Sequence, residues 1–213
     1  MKVGTDETRL IVLRGNSGSG KSAVATALRS SCDCRIAWVS QDLVRRTILQ
    51  EKDRSGGANI GMIDQLARYS LDHGYNVVLD GIFRADRYEQ MLARLRHDHA
   101  GYSFFYYFDV SFAETLRRHS SRPQAAEFGL DDMRTWFRPL DLLTSIEERV
   151  ISECSSLQET VGQVLADCGL QPRPRSREAR ALASGLAAPI PRRRTAPRRT
   201  GGSSRVLRRF WSR

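Results

Sequence analysis

The chain has 213 residues, of which 40% are hydrophobic and 27% charged, with a formal net charge of +10. That balance describes an ordinary globular domain, and no stretch approaches the ~20 apolar residues of a membrane span, which excludes a transmembrane helix. The charge is not spread evenly: Gln171–Arg213 carries 13 Arg and one Glu, or +12, which leaves residues 1–170 at −2. A basic-patch argument for nucleic acid therefore applies only to the end of the chain.

In chain order, Leu10-Ile11-Val12-Leu13 opens a first strand through Arg14, and Gly20–Ser30 reads as the first helix. A second strand, Arg35–Ser40, is followed by a helical start at Asp42. Ile60–His73 places Ile60, Ile63, Leu66, Ala67 and Leu71 at turn spacing, with Gly74 ending the helix. Asn76–Gly81 is a third strand with an acid, Asp80, near its end. Arg84–His97 is helical, with Tyr88, Met91, Leu92 and Leu95 on one face, and His97 and His99 read as a solvated helix end. Tyr102–Phe108 is continuously apolar and aromatic, as in a strand covered on both faces.

Two capping boxes follow. Ser111-x-x-Glu114 opens a helix running to His119, and Ser156-x-x-Glu159 opens a last helix ending at Cys168-Gly169, with Arg149–Ser152 a fifth strand before it. Alternating strands and helices imply an α/β fold: a three-layer sandwich around a parallel five-stranded sheet, formed by residues 1–170. Residues 171–213, rich in Arg and interrupted by prolines, are expected to be a disordered tail. The four cysteines lack zinc spacing and are expected to be reduced thiols in a cytoplasmic protein. The acidic N-terminus is not that of a signal peptide. Basic residues are 31 Arg to 3 Lys, a coding bias that lowers the weight of any one Arg.

The segment Gly15-Asn16-Ser17-Gly18-Ser19-Gly20-Lys21-Ser22 is the pattern G-x-x-x-x-G-K-S between a strand and a helix. Its glycines let successive backbone N–H groups turn inward onto phosphate oxygens, and the following helix adds the positive end of its dipole. In such a loop Lys21 reaches the β/γ-phosphates and the Ser22 hydroxyl ligates Mg²⁺. The chain is thus expected to bind a nucleoside triphosphate. A guanine-reading N-K-x-D signal is absent, since the only lysine after the loop is Lys52, and 170 residues are too few for a motor.

Residues 9–168 resemble small P-loop kinases of the group holding polynucleotide 5′-kinase domains, zeta-toxin kinases, chloramphenicol phosphotransferase and gluconate or shikimate kinases. The shared loop does not discriminate among these. Ser40-Gln41-Asp42-Leu43-Val44-Arg45 is similar to the D-x-x-R element of the polynucleotide-kinase and zeta-toxin branch, which implies that Asp42 accepts the acceptor's hydroxyl proton and Arg45 holds acceptor or γ-phosphate. Asp80 matches the Walker B position, implying a Mg²⁺ role. Arg117, Arg118 and Arg122 match the lid; Arg118 and Arg122, four apart, share a helix face and are favoured on phosphate, while Arg117 points elsewhere.

Acceptor recognition is expected between Asp42 and Phe83, with a flexible loop at Gly56-Gly57 and Asn59. Phe83, Arg84, Arg87 and Tyr88 are candidate wall residues, and Trp136-Phe137 is expected to pack the lid helix. The resemblance implies an ATP- and Mg²⁺-dependent kinase acting on a hydroxyl of a small molecule such as a nucleoside, sugar or antibiotic. The alternatives are a 5′-hydroxyl polynucleotide kinase, disfavoured by the −2 body, and a non-catalytic nucleotide-binding regulator. Nucleic acid would be met only through the tail, and the oligomeric state is open.

Overall fold

Strand β1 (Arg9–Gly15) lies at the centre of a sheet ordered β2-β3-β1-β4-β5, with β2 Ile36–Ser40, β3 Asn76–Asp80, β4 Tyr102–Asp109 and β5 Arg149–Ser152. The computed structural model describes residues 2–119 and 130–173. Every strand pairing is parallel. Parallel strands require crossovers, and these cover both faces of the sheet. Accordingly Leu10–Leu13 are fully buried. Leu10 and Val12 pack with α2 (Ala58–Asp72) and α3 (Ala85–Asp98), whereas Ile11 and Leu13 pack with α1 (Lys21–Ser31) and α6 (Leu157–Asp167). The period of two in one strand thereby divides the core into two layers.

The fold is the α/β, three-layer P-loop architecture with a five-stranded parallel sheet. Because β1 has β3 on one side and β4 on the other, chain direction changes at its C-terminal end, where such sheets open a crevice. Register places Leu13 beside Asp80 and Asp80 beside Ser40, so the ends of β1, β3 and β2 lie level at that crevice.

The helical start at Asp42 is present, as a π-helix over Leu43–Ile48, while several other local expectations need correction. At α4 (Phe112–His119) only half of the capping box exists. Ser111 Oγ accepts the Glu114 N–H at 3.3 Å, but the Glu114 carboxylate turns to Arg117 and Arg118, and Glu153 takes the Ser111 N–H at 2.8 Å. The Ser156–Glu159 box is complete.

His99 is only 4% exposed and is not solvated. Its Nε2 lies 3.0 Å from Thr8 Oγ1 and its Nδ1 3.0 Å from Ser103 Oγ. Thr8 Oγ1 already donates to the Thr5 carbonyl, so Nε2 must carry the ring proton and Nδ1 must accept. Burial, reinforced by the charges of Arg9 and Lys2, pushes the His99 imidazole down to about 4.

The cysteines are not all reduced. Cys32 and Cys34 form a disulfide, while Cys154 is an exposed and Cys168 a buried thiol. The chain divides into the units Met1–Pro174 and Arg175–Arg213, and only the first is described further. Its last described residues still belong to the body: Pro172 bridges Cys32, and the Arg173 N–H donates to the Ser31 carbonyl at 2.6 Å. The stretch expected to be disordered lies, beyond Arg173, outside the described residues. Among those that are described, no helix is long and apolar enough to cross a membrane.

Candidate functional site

The loop Gly15–Ser22 leaves β1 at the crevice and turns into α1. Gly15 has φ 140, and a Cβ there would lie 2.7 Å from the Phe108 carbonyl oxygen, so β4 passes too close for any side chain. Gly20, at φ 104, hands the chain to α1. Lys21 is 7% exposed, and its Nζ donates to the Asn16 carbonyl at 2.7 Å and to Ser19 Oγ at 3.0 Å, closing the loop into a ring. Asn16 is clamped in turn: its Nδ2 donates to the Arg138 carbonyl at 2.7 Å and its Oδ1 accepts the Arg138 N–H at 2.9 Å.

Asp80 ends β3 directly beside this loop. Its Oδ2 accepts the Ser22 hydroxyl at 2.6 Å, and its Oδ1 accepts the Trp38 indole N–H, also at 2.6 Å. Trp38 comes from β2 and was not singled out from the sequence, because its partner is set by sheet order and not by chain position. Among the described residues no group of three or more His, Cys, Asp or Glu is gathered for a metal. Ser22 and Asp80 nevertheless fit Mg²⁺, which takes hard oxygen donors, accepts one carboxylate alongside phosphates, and keeps several waters.

Asp42 lines the same cavity as Ser22 and Asp80. It caps nothing, and its side chain is 67% exposed. The wide turn of the π-helix brings both Arg45 Nη2, at 3.1 Å, and Arg46 Nε, at 3.4 Å, onto the same carboxylate oxygen. That cavity, of about 690 Å³, is lined by Lys21, Ser22, Asp42, Arg45 and Asp80, and also by Arg46, Lys52, Asp53, Arg84, Arg87, Trp136 and Arg138. Seven cations and three carboxylates line this cavity, so the −2 of residues 1–170 conceals a local basic excess.

Of the expected wall residues, Arg84 and Arg87 line the cavity, but Phe83 and Tyr88 are fully buried. The Tyr88 hydroxyl donates to Asp53 at 2.6 Å and accepts from Gln41 at 2.7 Å and Asn59 at 2.6 Å, so all its hydrogen-bonding capacity is used. Burial first, then the hydrogen bond to the Asp53 carboxylate, pushes the pKa of this phenol well above its ordinary value, and it stays a donor. Of the expected loop, Gly56 is an exposed turn residue at φ 69, whereas Gly57 is buried and Asn59 belongs to α2, its Nδ2 bound in this network.

Arg118 faces the loop, its Nη1 donating to the Ser19 carbonyl at 3.1 Å, while Arg117 is 73% exposed and turned away. Hydrogen bonds from Arg117 and then Arg118 hold the Glu114 carboxyl down at about 2. Arg122 lies outside the described residues. Phe137 packs edge-on against Phe112 of α4, at 5.2 Å between centroids. A second cleft of about 410 Å³, between Gly20, Val24, Arg118 and the turn Glu153–Leu157, opens on the other side of the loop.

Beneath the loop, Arg14 is fully buried. It donates to the Phe83 carbonyl at 2.9 and 2.8 Å, to Glu148 at 2.6 Å and to the Asp141 carbonyl at 2.9 Å. Phe83 adopts φ 39, a left-handed value for a non-glycine residue, at the point where its carbonyl meets the Arg14 fork. The sequence offered no signal for this cluster beyond an arginine at the end of an apolar strand.

The sequence model of the family described as AAA domain matches residues 10–140. No curated protein matches the sequence. Among solved structures, APS kinase CysC of Mycobacterium tuberculosis, in complex with AMPPNP and APS, is similar at 16% identity and TM-score 0.59, over 78% of this chain and 98% of that one. A gluconokinase from Sinorhizobium meliloti 1021 is similar at 18% identity and TM-score 0.52, over 86% and 99%. A sugar kinase from Janibacter sp. HTCC2649 is similar at 15% identity and TM-score 0.52, over 75% and 93%. At these identities the likeness is one of fold, which the chain shares with kinases.

Proposed function

This chain belongs to the AAA-domain family, and on that premise we propose that it is an ATP- and Mg²⁺-dependent kinase that moves the γ-phosphoryl group to a hydroxyl of a small molecule. One observation carries the reading: a single cavity at the carboxyl edge of the sheet gathers Lys21, Ser22, Asp42, Arg45 and Asp80. A triphosphate wound by Gly15–Ser22 directs its γ end to Lys21 and its nucleoside to the cleft beyond Gly20. Ser22 and Asp80 would hold magnesium, which would supply charge neutralisation at the phosphates.

The remaining chemistry is positioning. Asp42 accepts the proton of the acceptor hydroxyl as that oxygen bonds to the γ-phosphorus. The bond from this phosphorus to the bridging oxygen breaks, and ADP departs with the electron pair. Arg45 holds the Asp42 carboxylate toward the cavity, and Arg118 steadies the loop through the Ser19 carbonyl. Lys21 neutralises charge developing on the transferred group. Arg122 is carried in the proposal as a second lid arginine on phosphate.

The test is transfer of label from γ-labelled ATP to pools of hydroxylated metabolites. Asp42→Asn is expected to lower the rate by ~10²–10⁴-fold, the usual worth of a general base, with AMPPNP affinity retained. Unchanged transfer would remove Asp42 as base, and ATP consumption with no labelled product would favour a hydrolase or regulator.

A further inference from the structure

We propose that the acceptor carries an anionic group of its own, a phosphate, sulfate or carboxylate, beside the hydroxyl that receives the phosphoryl group. The inference rests on the kinase reading and concerns the same cavity. Arg45, Arg46, Lys52, Arg84 and Arg87 line it together with Asp42 and Asp53, and Asp86 pairs with Arg84 from outside the lining. The triphosphate has its own cations, Lys21 and Arg118, on the loop side. The five on the acceptor side are therefore in excess of what the nucleotide requires.

Their geometry points the same way. Arg84 gives Nε and Nη2 to Asp86, at 3.1 and 2.7 Å, and Arg87 gives Nη1 to Asp53, at 2.9 Å. Each guanidinium has five N–H donors in a planar fork, so both keep donors for a further oxyanion. The Arg84 side chain is 22% exposed but its Asp86 partner 57%, and Arg45 is 17% exposed against 67% for Asp42. Arg84 lines the cavity and Asp86 does not, so this cation is not offset by its carboxylate partner within the cavity. A neutral acceptor would desolvate these guanidinium groups without compensation, whereas a bound oxyanion pairs with them as it excludes water. A volume of about 690 Å³ suits a small molecule, while a nucleic-acid strand needs a groove that follows several nucleotides.

The experiment uses the full chain saturated with Mg·AMPPNP, with inorganic sulfate as the first probe, followed by calorimetry. Sulfate is expected to bind to this complex, and Arg84→Gln/Arg87→Gln to weaken it tenfold or more while AMPPNP affinity stays within twofold. Lys52→Gln, at an exposed loop position, is expected to weaken sulfate severalfold and guards against misfolding of the double variant. Glycerol 3-phosphate and glycerate then distinguish a phosphoryl from a carboxylate source: whichever binds more tightly and loses more in the variants identifies the group. Failure of Mg·AMPPNP itself to bind would defeat the kinase reading. Binding of Mg·AMPPNP without sulfate, or sulfate binding indifferent to all three substitutions, would overturn the anionic acceptor alone. Variant-sensitive binding confined to a 5′-hydroxyl oligonucleotide would overturn the small-molecule commitment.

Discussion

Two clusters of arginine and carboxylate occupy the same edge of the sheet, one beneath the phosphate loop and one in the cavity that this loop also lines. Arg14 and Glu148 are buried, with side chains 0% and 1% exposed. In the second, the Asp42 carboxylate is 67% exposed, held by Arg45 and Arg46. The residue types are alike, yet burial gives them opposite roles. A charge removed from water must be matched where it stands, so the Arg14 cluster ties β1 to the segments at Phe83, Asp141 and Glu148. A charge left in water can exchange partners, which is what the base role proposed for Asp42 requires.

The comparison breaks first on Arg14. Arg14→Met leaves Glu148 buried beside no counter-charge and is expected to destabilise the fold by ~3–5 kcal/mol, read as a lowered urea midpoint. Adding Glu148→Leu should recover most of that loss; no recovery would mean that the ionic match is not what holds the cluster. Asp42→Asn, by contrast, should leave the midpoint within ~0.5 kcal/mol of the parent, as expected for an exposed side chain. A large shift would place Asp42 among the structural residues.

How much of this could be read from the sequence follows the same division. The phosphate loop, strand order of appearance and Asp80 are local: a glycine pattern, an apolar run and an acid at a strand end declare themselves along the chain. Arg14, Trp38 and the Tyr88 network are not local. Trp38 meets Asp80 only because β2 pairs with β3, and Tyr88 is a core residue by periodicity but a polar hub by its contacts with Asp53, Gln41 and Asn59. The −2 average over residues 1–170 likewise hid seven cations that line one cavity from separate segments.

A smaller effect sharpens the contrast at Asp80, the acid proposed to hold magnesium. Trp38→Phe removes one hydrogen bond to a charged partner, worth ~1.5–3 kcal/mol, and should raise the Mg²⁺ concentration needed for half-maximal activity by ~10-fold or more while leaving the rate at saturating Mg²⁺ close to the parent's. A fall in the saturated rate with unchanged Mg²⁺ dependence would show that the indole does not act by orienting Asp80.

The mildest expectation concerns pH. The His99 imidazole, held down at about 4 against an ordinary value of 6.5, stays neutral when folded. Between these values the unfolded chain binds the proton more readily, so stability falls as pH drops from 6.5 to 4, and the contribution is whole above 6.5. Urea midpoints of the parent should decline across that window, and those of His99→Gln should be flatter. An equal decline in both would assign the acid loss to other groups.

The most direct measurement is a structure of the chain with Mg·AMPPNP and its affinity in solution. The account predicts that Gly15–Ser22 wraps the phosphates, that the metal touches Ser22 and Asp80, and that the γ-phosphate faces the Asp42 carboxylate with room for one hydroxyl between them. Absence of magnesium-dependent binding, or a γ-phosphate directed away from Asp42, would contradict it.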